Sequence, residues 1–256
     1  MENRTALITG ASGGLGLEFA HLCAQDGYDL VLAARNENKL NQIKKELEEK
    51  YHISVSVFEV DLSKKDAALD LYRFTKEHDL SIEILINNAG FGLAGSFMDT
   101  DWQRQYEMVQ LNIVALMQLS HCYLKDMTAK GKGRILNLSS VAAYCAGPDM
   151  SVYYASKAFV KSFSEALSAE TEGTGVTVTA LCPGPTATGF EKAAAGKQIT
   201  MFRHAADPAS VAKAGYRAMM AGKPLCNPGV LPKLMNLGAR ISPDFITNKI
   251  AKKMNH

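Results

Sequence analysis

Short apolar runs alternate with longer amphipathic stretches from Thr5 to about residue 181, and no other feature of the chain restricts its fold so tightly. The runs Thr5–Thr9, Asp29–Ala34, Ile82–Asn87, Arg134–Ser139 and Val176–Leu181 have the length and composition of buried strands. Ile53–Val60 alternates instead, with Ser54 and Ser56 facing away from Ile53, Val55 and Val57, as suits a strand at a sheet edge. Between the runs the spacing is helical. Leu15, Phe19, Leu22 and Cys23 share a face over Gly14–Gln25, which Gly27 closes, and Leu40, Ile43 and Leu47 do so over Asn38–Tyr51. Further helices are predicted from Ser63, with Asp66 three residues on, to His78, then over 101–129, 153–172 and 208–220. Parallel neighbours need long crossovers, so this order predicts an α/β fold: a doubly wound parallel sheet with helices on both faces.

A length of 256 residues fits one domain around a shared sheet, here 1–256, with 184–207 read as a substrate loop or lid and 231–256 as an amphipathic, mildly basic helical tail. Lys and Arg number 28 against 26 Asp and Glu, a net charge of +2 that argues against nucleic acid as a partner. Cysteines 23, 122, 145, 182 and 226 form no CxxC or Cys/His cluster, so neither a disulfide framework nor a metal site is expected, and reduced thiols fit a cytoplasmic protein. The apolar run at Thr5 leaves no room for a signal peptide, and uncharged stretches such as Gly173–Phe190 are broken by Gly, Pro and Thr, so membrane association is not expected.

Between the first strand and first helix lies Thr9-Gly10-Ala11-Ser12-Gly13-Gly14-Leu15-Gly16. Glycines there let the backbone turn sharply and approach a pyrophosphate, which the helix N-terminus attracts through free N–H groups and its dipole. The spacing is not GxGxxG, and a tight strand-to-helix turn is the alternative. Strand two ends Ala33-Ala34-Arg35 with no carboxylate at its end. An acidic residue there would bind a ribose 2′-hydroxyl, whereas Arg35 can pair with a 2′-phosphate, so NADP(H) is predicted over NAD(H), the alternative being a solvated arginine. Asp61, after strand three, is placed to accept from an adenine amino group.

Tyr153 and Lys157 stand four apart on one predicted helix, hence on one face. A neighbouring ammonium lowers a phenol from its ordinary value of about 10 toward the range useful for general acid catalysis. YxxxK alone is commonly two surface residues. Ser140 directly follows strand five, at the carboxyl edge where open α/β sheets bind ligands, and could polarise a carbonyl; a turn serine is the alternative. Strand four ends at that edge in Asn87-Asn88-Ala89-Gly90, whose amides can bond neighbouring strands and shape a cofactor floor.

These motifs, with Asn112 in the long helix and Pro183-Gly184 followed by Thr186 and Thr188, resemble the short-chain dehydrogenase/reductase family in its single-domain, NADP-preferring branch, over nearly the whole chain up to Thr188. The resemblance implies a Rossmann-type sheet of about seven strands and an oxidoreductase that moves a hydride between nicotinamide and a carbonyl or alcohol. It implies Tyr153 as proton donor, Ser140 as its orienting partner, Lys157 on the nicotinamide ribose while tuning Tyr153, and Asn112 holding a water that relays protons to Lys157. Cofactor contacts would come from Gly10, Ser12, Gly13, Gly14, Leu15, Gly16, Arg35, Asp61, Asn88, Pro183, Gly184, Thr186 and Thr188. The chain departs from the family's more basic NADP-type loops at Gly13, where many carry arginine, leaving Arg35 most of the 2′-phosphate recognition.

Phe91, Leu93, Phe97, Tyr144, Phe190, Met201 and Phe202 are candidate pocket residues, so the expected small-molecule substrate is a ketone, 3-oxoacyl or steroid-like carbonyl compound with an apolar portion. Two other readings stand beside an NADPH-dependent carbonyl reductase: an NAD-linked alcohol dehydrogenase, and a non-catalytic NADP-sensing protein. The long helix, with Met108, Leu111, Val114, Ala115 and Leu119, and the Tyr153 helix are those the family uses to pair subunits, which implies a homodimer or homotetramer.

Overall fold

The structure is a computed structural model describing residues 4–190, 205–241 and 251. Among these residues seven parallel strands, β1 (Thr5–Thr9), β2 (Asp29–Ala34), β3 (Val55–Glu59), β4 (Ile82–Asn87), β5 (Gly133–Leu138), β6 (Val176–Leu181) and β7 (Leu225–Cys226), lie in the order β3-β2-β1-β4-β5-β6-β7. The order reverses between β1 and β4, and that switch point opens a crevice at the carboxyl edge of the sheet.

Side-chain alternation along each strand divides the core into two layers. Ala6 and Ile8 of β1, Leu30 and Leu32 of β2, and Ile84 and Ile86 of β4 face helices α1 (Gly14–Gln25) and α2 (Glu37–Tyr51). Val211, Ala212, Tyr216 and Met219 of α7 (Pro208–Met220) complete that layer. Leu7, Val31, Leu85, Ile135 and Val178 face the other way, onto α3 (Ala67–Glu77), α5 (Leu116–Lys130) and α6 (Ser151–Glu170). The second layer holds Leu71 of α3, Leu119, Tyr123 and Met127 of α5, and Leu167 of α6. The doubly wound architecture is that read from the sequence.

Local differences have local causes. The strand expected over Ile53–Val60 is ordered only over Val55–Glu59, because His52 ends α2 at φ 55° and the Asp29 carboxylate takes the Ser54 N–H at 2.8 Å before pairing with β2 is established. β3 is an edge strand, as its alternation implied. Ser63 does not start α3. Its N–H and hydroxyl both donate to the Asp61 carboxylate, at 3.0 and 2.7 Å, and the helix begins at Ala67 after Asp66 turns left-handed at φ 61°. Leu22, expected on the buried face of α1, is only half-buried.

The long helix predicted over 101–129 is a continuous path of three parts: α4 (Trp102–Val109), capped by Asp101, a π turn over Gln110–Ala115, and α5. A π turn inserts an extra residue per turn and is characteristic of functional sites. Of the tail, α8 (Val230–Ile241) and Ala251 lie within the described residues. No described helix is long and apolar enough to cross a membrane.

Candidate active site

The glycine segment turns directly under the switch point. Gly10 adopts φ +66°, and its N–H donates to the Ala33 carbonyl at 2.8 Å. A Cβ on Gly16 would stand 2.3 Å from the Gly10 carbonyl oxygen and 2.7 Å from Asn88 Nδ2, so loop and helix approach to a distance only glycine permits. Asn88 braces the loop: its Nδ2 donates to the carbonyls of Thr9 (2.9 Å) and Gly10 (3.2 Å), and its N–H to Thr9 Oγ1 (3.0 Å). The neighbouring Asn87 donates to Asn137 Oδ1 across β4 and β5, 2.9 Å away. The amide-to-strand bonding expected of this motif is thus present.

Two clefts meet at Gly90, which lines both. One, of about 940 Å³, runs past Gly10, Ser12, Arg35, Asn36, Asp61, Ser63 and Arg104. The other, of about 720 Å³, is bounded by Leu15, Asn88, Ser140, Tyr153, Lys157, Pro183, Gly184, Thr186 and Thr188. Together they form an elongated trough with a cation-bearing end and an apolar end, over a backbone from which side chains are excluded; a dinucleotide fits such a cradle. Asp61 is held ionised below the usual carboxylate range: burial works against this, and the Ser63 hydrogen bonds and Arg35 overcome it. One of its oxygens is already engaged by Ser63, which narrows the expected role toward an adenine.

At the other end, Ser140 caps a short 3₁₀ turn (Val141–Tyr144), accepting from the Ala142 N–H at 3.1 Å. That leaves its proton free, and its hydroxyl meets the hydroxyl of Tyr153. Ser140 is therefore both the turn serine and the partner of the phenol. Lys157 Nζ lies 5.8 Å from the Tyr153 ring centre and donates to the Leu138 carbonyl at 2.8 Å. Both side chains are buried, and the electrostatics differ from the expected ammonium-lowered phenol. Burial pushes the Tyr153 hydroxyl up, opposed by the Ser140 hydrogen bond, and burial pulls Lys157 down to about 8. Desolvation disfavours both charged forms, and at this separation the ammonium does not reverse it. Tyr153 is consequently held protonated.

Asn112 lies in the π turn, 1% exposed, and its amide grips the backbone of one residue on both sides: Phe91 N–H donates to Oδ1 (3.1 Å), and Nδ2 donates to the Phe91 carbonyl (2.9 Å) and Ser156 Oγ (3.1 Å). Both of its amide protons are thereby committed, which leaves the side chain no donor to offer a relayed water. Pro183 accepts from the Val141 N–H at 2.9 Å, Thr186 Oγ1 donates to the Gly184 carbonyl at 2.9 Å, and the Thr188 side chain closes over Gly14.

The pocket residues divide. Phe190 packs on Tyr153, ring centres 5.3 Å apart, and lines the apolar cleft. Leu93 packs against the same buried cluster as Phe190. Phe97 is 56% exposed, Tyr144 turns away to donate to Asn227 Oδ1 at 2.7 Å, and Phe91 lies under Arg104 in the other cleft. Met201 and Phe202 lie outside the described residues. Met150 and Tyr154, not anticipated, form part of the wall; their positions one turn before and directly after Tyr153 were the available signal. On the helices implied in subunit pairing, Met108, Ala115 and Leu119 are buried within the chain, and the exposed apolar residues are Trp102, Tyr106, Met117 and Phe159.

A profile described as short chain dehydrogenase matches residues 4–198. The chain belongs to this family. As a short-chain dehydrogenase it is an oxidoreductase acting on CH–OH or C=O groups with a nicotinamide cofactor. It is 30% identical over 219 residues to an uncharacterised oxidoreductase of Staphylococcus saprophyticus, covering 86% of this chain and 92% of that one. It is 32% identical over 182 residues to a 7beta-hydroxysteroid dehydrogenase of Collinsella aerofaciens, covering 71% and 68%. Among solved structures, a short-chain dehydrogenase from Sphingobium yanoikuyae in complex with NADPH superposes with TM-score 0.84 at 30% identity, covering 93% of each chain.

Proposed function

We propose that this short-chain dehydrogenase is an NADPH-dependent carbonyl reductase, reversible toward alcohol oxidation, whose substrate carries an apolar portion such as a ketone, 3-oxoacyl or steroid-like group. The observation that carries the reading is the meeting of the Tyr153 and Ser140 hydroxyls, with Lys157 beside them, at the end of the trough opposite Arg35. A bound NADPH supplies the hydride. Gly10, Ser12, Gly13, Gly14, Leu15 and Gly16 present backbone to its pyrophosphate, Arg35 pairs with its 2′-phosphate, and Asp61 and Asn88 border the adenosine and nicotinamide halves. Pro183, Gly184, Thr186 and Thr188 enclose the carboxamide end, and Lys157 holds the ribose.

In the direction of reduction, Ser140 donates a hydrogen bond to the substrate oxygen and Tyr153 delivers its proton there. The raised phenol keeps that proton available through neutral pH. Asn112 fixes the Phe91 backbone that walls the cleft. Met150, Tyr154 and Phe190 exclude water around the reacting carbon and give the apolar preference. The NADPH-bound Sphingobium relative and the Collinsella hydroxysteroid dehydrogenase support cofactor and substrate class. The exposed apolar residues of α4, α5 and α6 support a homodimer or homotetramer, and five unpaired thiols support a reducing, cytoplasmic setting.

Tyr153→Phe tests the reading. The variant should lose turnover on a panel of apolar ketones, by roughly 10²–10⁴ for a lost general acid, while binding NADPH as the native chain does. Retained turnover would refute the role of Tyr153; a protein that senses NADP without catalysis would show no turnover in either form. Wild-type binding of NADH as tight as NADPH would favour the NAD-linked dehydrogenase.

A further inference from the structure

We infer that Lys39, on the first turn of α2, is a second 2′-phosphate ligand and determines cofactor specificity together with Arg35. The inference rests on the NADP reading above and adds a residue that the cofactor loop itself lacks. The Asn36 side chain caps α2 by accepting the Lys39 N–H at 2.9 Å, which makes Lys39 the third residue of the helix. Helical side chains lean toward the N-terminus, so one at this position reaches back over the helix start. Here it reaches the glycine loop: a Cβ on Gly13 would lie 3.5 Å from Lys39 Nζ. The ammonium thus stands over the position where an arginine on the loop would emerge, and α2 brings to that place a cation that the sequence of the loop omits.

Charge balance supports the same assignment. Arg104, which lines the cleft, is tethered by Glu107 at 2.6 Å, and Glu107 also takes Lys64 at 3.0 Å, so both cations are already directed at that one carboxylate. Arg35 shares its field with Asp61, whose carboxyl it helps hold ionised. Among the described residues Lys39 has no carboxylate within ion-pair distance. A phosphate monoester carries about −1.5 to −2 charges at neutral pH, and one guanidinium partly offset by an aspartate leaves most of that unmatched. Lys39 supplies the missing positive charge as a flexible point donor, with Arg35 as the planar fork.

The test measures dissociation constants for NADPH and NADH by nucleotide fluorescence on the intact chain, with no substrate. Lys39→Ala should weaken NADPH about tenfold and leave NADH unchanged. Arg35→Ala should do the same or more, and the double variant should bind both nucleotides alike. Gly13 has extended backbone, φ 169°, open to any residue, so Gly13→Arg on the Lys39→Ala background should restore NADPH preference. A Lys39→Ala variant that weakens both nucleotides equally would place the ammonium on the pyrophosphate and overturn the inference. One that changes neither, while Arg35→Ala collapses the preference, overturns it and leaves the NADP reading intact. A native chain without preference overturns both. Lys39 is exposed, so its variants should melt as the native protein does, and the rescue excludes a folding artefact.

Discussion

Asn112→Ala should cost stability and rate through the backbone of one residue, Phe91. Its amide makes three hydrogen bonds, two to the Phe91 backbone and one to Ser156, from a side chain that is 1% exposed. At about 1 kcal/mol net for each bond, the loss is near 3 kcal/mol, and a helix-propensity gain of a few tenths offsets little of it. For a chain of this length each kcal/mol shifts the melting midpoint by roughly 2–4 °C, so the variant should melt about 6–12 °C lower. Asn112→Asp keeps the acceptor for the Phe91 N–H but loses both donors and sets a buried carboxylate oxygen against the Phe91 carbonyl, so it should cost at least as much as Ala. Differential scanning fluorimetry measures the shifts, and steady-state kinetics at a temperature where all forms are folded should show kcat reduced as the Phe91 wall loosens. A melting drop under 2 °C for Asn112→Ala would refute the claim that this amide holds the wall, since the Phe91 groups would then be satisfied by other means.

Other outcomes follow from the same geometry. Lys157 titrates near 8 in the folded chain against about 10.5 unfolded, so the unfolded state binds more protons between those values and this residue adds stability as pH rises through that window. Buried thiols such as Cys23 and Cys182 act oppositely, so the check is the difference in urea midpoint between wild type and Lys157→Met from pH 7 to 10, which should grow in favour of the wild type; a flat difference would count against the burial of Lys157. Gly16→Ala forces a methyl to within 2.3 Å of the Gly10 carbonyl and should abolish dinucleotide binding in a titration while leaving far-UV dichroism native. Phe190→Ala removes the ring packed at a tilt against Tyr153 and should raise KM for apolar ketones more than for small hydroxylated ones, as measured in a substrate panel.

The alternation of apolar runs made the sheet legible, because buried parallel strands and amphipathic crossovers have different periods, and Thr5–Thr9 or Leu40, Ile43 and Leu47 stand where the pattern puts them. Other features depend on distant partners. The π turn at Asn112 follows from its grip on Phe91, twenty-one positions away, and nothing in Gln110–Ala115 announces it. Ser63 carries a plausible helix-start signal, yet Asp61 outcompetes it with an adjacent carboxylate. The site motifs were legible because the turn, the strand ends and the helix face each demand particular residue types. The pocket wall was less so: an aromatic near the edge of the sheet can equally face solvent, as Phe97 does, or another loop, as Tyr144 does.

The junction at Thr186 and Ala206 has a bearing on how such an enzyme diversifies. Ala206 donates to the Pro185 carbonyl at 2.8 Å and accepts from the Ala187 N–H at 3.0 Å, so positions twenty residues apart in the chain are stapled side by side. Insertions, deletions or randomised stretches placed between those two stitches leave the neighbouring strand ends anchored. A laboratory library that starts after Phe190 and stops before Ala206 leaves Thr188 on the cofactor cradle and Phe190 on the proton donor, so its variants should retain NADPH affinity even where their preferred ketone has changed.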